Sequence, residues 1–207
     1  FHPDACIRDW SVTGVQTCAL PISCSPWLSP ILMVTKPDGS VRFCCDFRKL
    51  NRVTVKEYQP LPRIDDNLDA LSSAKWFSVC DLKSGFWQID IEKDSRSKTA
   101  FSLQGGQQLQ FRKLAFGLCN SPSAFTRLMQ MVFKGLIWNT LVLYLDDIIV
   151  FAQTFEQALV NLDEVMKRLR QANLKLHPKK CNFFQKQLTF LGHVISVNGI
   201  STCPDKV

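Results

Sequence analysis

From residue 24 onward the chain alternates short apolar runs with turn residues and two longer stripes of helical period. Ile31 to Val34 and Val41 to Phe47 are apolar runs separated by Pro37-Asp38-Gly39-Ser40, a spacing that predicts a β-hairpin. Pro62 opens a predicted helix through about Ala74, with Asp65 and Asp66 in its first turn. A helix N-terminus favours carboxylates, so that pair reads as structural rather than catalytic. Lys75 to Leu82 reads as a buried strand that ends in Asp81. A second hairpin is predicted around Gly105-Gly106, between Thr99-Ala100-Phe101 and Leu109 to Leu114. Ser121-Pro122 predicts a helix start, cap then proline, and Phe125, Leu128, Met129, Val132, Phe133 and Leu136 follow as a core stripe. Leu141 to Leu145 and Ile148 to Ala152 predict two short strands flanking Asp146-Asp147. Thr154 with Gln157 predicts a capping box for a long helix whose buried face is Leu159, Leu162, Val165, Met166 and Leu169. Short strands are expected at Leu188 to Leu191 and His193 to Ser196. Helices alternating with hairpins favour an α+β sheet with helices on one face over a doubly wound parallel sheet.

Residues 1–23 do not share this patterning. The stretch Val12-Thr13-Gly14-Val15-Gln16-Thr17-Cys18-Ala19-Leu20-Pro21-Ile22 resembles the conceptual translation of a sequencing-library adapter, and the segment is set aside as an artefactual leader. Residues 24–207 carry no linker or repeat and read as one domain. The 207 residues suffice for one sizeable core. The longest apolar stretch, Leu141 to Ala152, is twelve residues interrupted by two aspartates, so neither a membrane span nor a signal peptide is expected, and an intracellular chain is. Twenty-five Lys+Arg against 18 Asp+Glu give a net charge of +7. Removing Arg8, Asp4 and Asp9 with the leader leaves 24 basic and 16 acidic residues, or +8. That excess suits a polyanion partner as well as a merely soluble basic surface. The nine cysteines form no C-x-x-C pair and read as reduced thiols; His177, Cys181, His193 and Cys203 match no zinc-finger spacing.

Asp146 and Asp147 carry the chemical signal. Two adjacent carboxylates between apolar strands repel one another and lose hydration unless solvent or a cation compensates. At the apex of a hairpin both can lean toward one site, and a hard divalent cation bound by oxygen resolves the conflict. Asp81, ending another buried strand, would complete a two-metal site of the kind that clamps both oxygens of a phosphoryl transfer. A solvated Asp-Asp turn of a plain hairpin, the commoner arrangement, also explains the doublet taken alone.

Tyr144-Leu145-Asp146-Asp147 resembles the Y-x-D-D hairpin of reverse transcriptases. Ser25-Pro26-Trp27-Leu28-Ser29-Pro30, Lys36 to Asn51 (KPDGSVRFCCDFRKLN), Tyr58 to Asp66 (YQPLPRIDD), Asp81 to Gln88 (DLKSGFWQ), Phe116 to Phe125 (FGLCNSPSAF) and Phe190 to Val194 (FLGHV) follow in that family's order. The set is similar to the polymerases of gypsy-type LTR retrotransposons and extends over residues 24–207. The resemblance implies a partial right hand: fingers, and an antiparallel palm sheet backed by helices, with the thumb and ribonuclease H domains missing. It implies RNA-directed DNA polymerisation in the cytoplasm, in the element's virus-like particle, on an RNA or DNA template with a primer, using dNTPs and two Mg²⁺ ions for which Mn²⁺ can substitute.

The same resemblance distributes roles. Asp81, Asp146 and Asp147 match the catalytic carboxylates that hold the metals, and Leu82 would add its backbone carbonyl. Phe86 stands where an aromatic ring excludes a 2′-hydroxyl. Lys36 and Arg42 match triphosphate contacts, and Phe116 and Gly117 match the segment leading into the template-contacting helix, in the nucleotide-binding set. Lys180 matches a basic group near the leaving pyrophosphate, a general acid. Phe190, Leu191 and Gly192 match the primer grip, with His193 beside it structural. Ala115 and Cys45 depart from the proline and valine usual in the family. Two rivals stand beside this reading. One is a catalytically inactive remnant that binds nucleic acid; the other is an RNA-templated RNA polymerase, which Phe86 disfavours.

Overall fold

The computed structural model describes residues 19–21, 24–35, 39, 41–60, 62–103, 106–197 and 199–202. Lys36, Cys203, most of residues 1–23 and most of the two predicted turns, 37–40 and 105–106, lie outside the described residues. In chain order the strands are β1 (Ala19–Pro21), β2 (Ile31–Thr35), β3 (Val41–Cys45), β4 (Trp76–Asp81), β5 (Phe101–Ser102), β6 (Gln108–Phe111), β7 (Leu141–Tyr144), β8 (Asp147–Ala152), β9 (Asn182–Gln185), β10 (Gln187–Phe190), β11 (His193–Ser196) and β12 (Gly199–Thr202). The helices are α1 (Arg48–Val53), α2 (Ile64–Ser72), α3 (Lys93–Arg96), α4 (Ser121–Val132) and α5 (Phe155–Gln171). All pairings between these strands are antiparallel, as the α+β reading requires.

The chain divides into two compact units, residues 1–58 with 84–125, and 59–83 with 126–207. In the first, β2 and β3 pair from Ile31↔Cys45 to Thr35↔Val41. A separate sheet has the order β1-β6-β5, so Ala19–Pro21, inside the segment set aside as a leader, lies along β6. Phe43, Phe47, Phe101 and Phe111 are buried rings of one core cluster in this unit, in tilted and T-shaped contacts at centroid distances of 5.0–6.1 Å. Aromatic pairs in such orientations add to plain area burial.

The second unit holds the sheet β7-β8-β4-β9. β4 alternates toward two faces, and Phe77 joins Leu71, Val142, Ile149, Phe190 and Ile195 in one core cluster. Helix α5 contacts β8 and β4 and buries Ala158, Asn161, Leu162, Val165 and Leu169. The predicted stripe is therefore rotated: Leu159 is 47% exposed, and Asn161 takes a buried place. Asn161 can do so because its amide is used at both ends, Nδ2 donating to Phe151 O at 2.9 Å and Oδ1 accepting from Gln157 Nε2 at 2.6 Å. Thr154 Oγ1 accepts from Gln157 N at 3.2 Å, but the Gln157 side chain bonds Asn161, so the reciprocal half of the capping box is not formed. Helix α4 likewise begins at Ser121 itself rather than after it. The Ser121 hydroxyl donates to Ala115 O, and Asn120 O accepts the first helical bond from Ala124 N.

Asn67 of α2 is fully buried, and neither side-chain amide atom has a hydrogen-bond partner among the described residues. An unpaired buried amide costs about 1–3 kcal/mol. Asn67→Leu, close in volume, is expected to raise the urea midpoint without changing the slope of the transition; a lower midpoint would show that the amide is satisfied in solution. No helix among the described residues is long and apolar enough to cross a membrane.

Candidate active site

The site lies at one end of the sheet β7-β8-β4-β9. β4 and β8 run in register from Trp76↔Ala152 to Asp81↔Asp147, so the last residue of one strand faces the first residue of the other. Asp147 also pairs with Tyr144 across the tight β7–β8 turn, formed by Leu145 and Asp146. Asp147 is thus a strand residue, and Asp146 alone occupies the turn. Leu145 has φ +53°, a left-handed conformation that such hairpins normally give to Gly or Asn. A leucine there stores strain of order 1 kcal/mol, directly beside the carboxylates.

Like charges directly opposed on adjacent strands destabilise a sheet. Burial first, and then the charge of Asp81, push the Asp146 carboxyl above the usual carboxylate range, and Lys180 opposes the shift. Asp147 is raised by burial, then by Asp81 and Asp146, again against Lys180. The Lys180 ammonium lies 3.4 Å from Asp81 Oδ2. It sits on the short 3₁₀ turn Pro178–Lys180, and His177 N just before that turn donates to Asp81 O at 2.8 Å. Cys181 just after it offers its thiol to the same carbonyl at 3.8 Å. His177 and Cys181, about a hundred residues from Asp81 in sequence, fix the end of β4, and no local pattern announces that.

Leu82 forms an isolated bridge to Leu176, flanked by the bonds His177 N to Asp81 O and Lys83 N to Lys175 O. It is the non-hydrogen-bonded member of that ladder, so its own carbonyl is directed away from residues 175–177. Among the described residues no three His, Cys, Asp or Glu side chains converge into a group that could hold a metal ion. The donor chemistry still suits one: Asp81, Asp146 and Asp147 offer only hard oxygen donors, and two of them carry an electrostatic cost that a cation would offset.

The primer-grip residues belong to the same unit. Phe190 is only 4% exposed and packs edge-on against Tyr144 at 5.8 Å, behind the aspartate turn. Leu191 and Gly192 form the tight β10–β11 turn, both with positive φ, 50° and 82°. What this hairpin presents outward is that turn, not the Phe190 ring.

In the other unit, Ser84 at φ +52° leads into a 3₁₀ turn, Gly85–Gln88, that carries Phe86. A Cβ on Gly85 would lie 2.8 Å from the Phe125 ring, so glycine is what lets this turn seat there. Phe86 packs against Phe125 at 5.6 Å and against Phe116 at 5.1 Å. Phe116 is 49% exposed and leads into Gly117 at φ +92°. Arg42 on β3 pairs through its backbone with Val34 on β2, while its side chain and all of Lys36 lie outside the described residues.

Comparison with known proteins gives one picture. Residues 34–195 match the family described as reverse transcriptase (RNA-dependent DNA polymerase). The retrovirus-related Pol polyprotein from transposon 412 of Drosophila melanogaster is 42% identical over 184 residues, 86% of this chain and 15% of that polyprotein. The Pol polyprotein from transposon gypsy of the same fly is 36% identical, over 88% of this chain and 18% of its own length. The foamy viral protease-reverse transcriptase in complex with RNA/DNA hybrid superposes with a TM-score of 0.84 at 28% identity, covering 99% of this chain and 28% of that one. The foamy viral protease-reverse transcriptase dRH in complex with ds DNA gives 0.83 at 30% identity, over 92% of this chain and 33% of that one. The chain therefore spans less than a fifth of these curated relatives' length. With the motif order, the register that opposes Asp81 to Asp147, and a family match over most of its residues, the chain belongs to the reverse transcriptase (RNA-dependent DNA polymerase) family.

Proposed function

We propose that this chain is the fingers-and-palm part of an RNA-directed DNA polymerase, extending a primer on an RNA or DNA template with deoxynucleoside triphosphates. The observation that carries the reading is the opposition of Asp81 and Asp147 across β4 and β8, with Asp146 in the adjoining turn. These three, with the Leu82 carbonyl beside them, would hold two Mg²⁺ or Mn²⁺ ions. When bound, such ions supply the Lewis acidity that activates a primer 3′-hydroxyl and neutralises charge at the α-phosphorus. The 3′-hydroxyl gives up its proton to solvent, and its oxygen bonds to that phosphorus as the bond from the phosphorus to the bridging β-phosphate oxygen breaks. Lys180, held beside Asp81, then delivers a proton to the departing pyrophosphate.

The other unit supplies nucleotide selection. Lys36 and Arg42 are assigned to the triphosphate, and the Phe86–Phe116 pair to the sugar, where a ring leaves no space for a 2′-hydroxyl. Gly117 lets the backbone approach the template, and the Phe190-Leu191-Gly192 hairpin steadies the primer end. A net charge of +7 suits binding through phosphates rather than base edges, as a polymerase of any sequence requires. As part of a transposon polyprotein it would work inside the cell, in the cytoplasm, alongside thumb and ribonuclease H domains.

The test is primer extension on an RNA template with dNTPs and Mg²⁺, comparing the chain with Asp146→Asn. Extension that the substitution abolishes supports the polymerase. Extension equal in both removes Asp146 from the mechanism, and template binding without extension in either favours an inactive remnant.

A further inference from the structure

We propose that Asn51 and Asn120 are positioning residues for nucleotide selection: two side-chain amides that clamp the loop between β6 and α4, so that Phe116 is held against Phe86. The inference rests on the polymerase reading for its consequence, but its geometry stands apart from it. On α1, Asn51 Nδ2 donates to Gly117 O at 2.7 Å and Asn51 Oδ1 accepts from Cys119 N at 3.0 Å. A side-chain amide used at both ends mimics a strand, and here it fixes the two peptide groups on either side of Leu118, directly after Gly117.

Asn120 makes the converse clamp. Its Oδ1 accepts from Glu57 N at 3.1 Å and its Nδ2 donates to Val55 O at 2.9 Å, so the loop's last residue is tied to the extended segment after α1. Ser123 Oγ donates to Glu57 O at 2.9 Å, a second bond to the same segment. Ser121 Oγ closes the loop on itself by donating to Ala115 O at 2.9 Å. Helix α1 with the segment that leaves it, and the loop with the start of α4, are thereby bound to each other by five side-chain hydrogen bonds, none of which depends on an apolar core.

What these bonds hold is an otherwise weakly held ring. Phe116 is half exposed, and its ring contacts are Phe86 at 5.1 Å and Trp87 at 6.0 Å. The Phe86 ring is fixed on its other side by Phe125. The position of Phe116 therefore decides whether the Phe86 ring is confined or free to tilt away from a sugar, and the two amides decide the position of Phe116. Asparagine is specific to the task. Alanine loses donor and acceptor, aspartate keeps only the acceptor, and glutamine is one methylene too long to reach both peptide groups.

The experiment uses the full chain, its Asn51→Ala and Asn120→Ala variants, and Asn51→Asp. Amide hydrogen exchange at Cys119 N–H reads the clamp; primer extension with dATP against ATP reads its consequence. Asn51→Ala is expected to speed Cys119 exchange and to lower the dATP-over-ATP preference by about tenfold, through a lower KM for ATP more than through kcat. Asn51→Asp should keep Cys119 slow while losing part of the preference, a split that general destabilisation would not produce. Asn120→Ala should lower the preference with Asn51 intact, which keeps the test open if Asn51→Ala does not fold. Unchanged Cys119 exchange in Asn51→Ala, or unchanged sugar preference in both alanine variants, overturns the proposal. A wild-type chain that extends no primer is a failure of the polymerase reading instead, and the ratio of dATP to ATP affinity by calorimetry on the same proteins then decides the clamp.

Discussion

Asp147→Asn is expected to abolish primer extension and, at neutral pH, to raise the melting temperature of the chain. Both effects come from one feature, the direct opposition of Asp147 and Asp81 on adjacent strands. Burial and the neighbouring carboxylates raise the Asp147 pKa above its ordinary value of 3.8, and Lys180 offsets only part of this. A carboxyl whose folded pKa is raised binds its proton more tightly when folded. Its contribution to stability is fully present below the unfolded pKa and is lost as pH rises through the folded one. Above the folded pKa the wild type has lost it, whereas asparagine keeps the shape of the neutral form at every pH. Cross-strand like-charge relief is worth up to about 1 kcal/mol, which corresponds to roughly 2–4 °C in Tm for a chain of this size. The gain should shrink as pH falls through the raised folded pKa, where the wild-type carboxyl takes up its own proton. On the proposed function, extension should fall by about 10³-fold or more, since a charged carboxylate that would hold a metal becomes a neutral amide. Thermal unfolding from pH 4 to 8 beside primer extension checks both halves. A variant less stable than wild type at pH 7 would show that a partner other than repelling carboxylates dominates at Asp147.

That prediction needed the structure, although the residues were legible beforehand. Asp81, Asp146 and Asp147 stand out because each ends or interrupts a short apolar run, and the two flanks of the doublet are close enough in sequence to form a hairpin. The pairing of β4 with β8 joins residues 66 apart, and a period-two pattern fixes which face a side chain takes without fixing which strand lies beside it. Helix α5 illustrates the opposite limit. Its amphipathic stripe is real, but hydrophobicity alone chose Leu159 over Asn161, because the hydrogen bonds that make a buried asparagine tolerable come from Phe151 O and Gln157. Asn51 and Asn120 escape for the same reason. An asparagine beside a helix end reads as a local cap or turn residue, and only the fold brings peptide groups more than sixty residues away within reach of both amide atoms. His177, which steadies the end of β4 through its backbone, offers no side-chain pattern to read at all.

The largest loss of stability is expected from Phe77→Ala. Phe77 is 1% exposed near the start of β4, where it pairs with Phe151 on β8 and with Gln185 on β9. Its ring fills the core cluster with Leu71, Val142, Ile149, Phe190 and Ile195, contributed by a helix and four further strands. Truncation removes the transfer free energy of the ring and leaves a cavity whose walls belong to separate elements, so collapse can recover little. Phe→Ala changes in such cores cost about 3–5 kcal/mol, which for this length lowers Tm by roughly 6–20 °C. Leu28→Ala, at a leucine 61% exposed, is the matched control and should move Tm by little. The site should suffer with the core, because Phe77 and Phe190 pack in one cluster and Phe190 supports the Tyr144 ring behind the aspartate turn. Calorimetric or urea unfolding of the three proteins decides it: a Phe77→Ala loss no greater than that of Leu28→Ala would mean that β4 is not the member of the sheet on which this core is built.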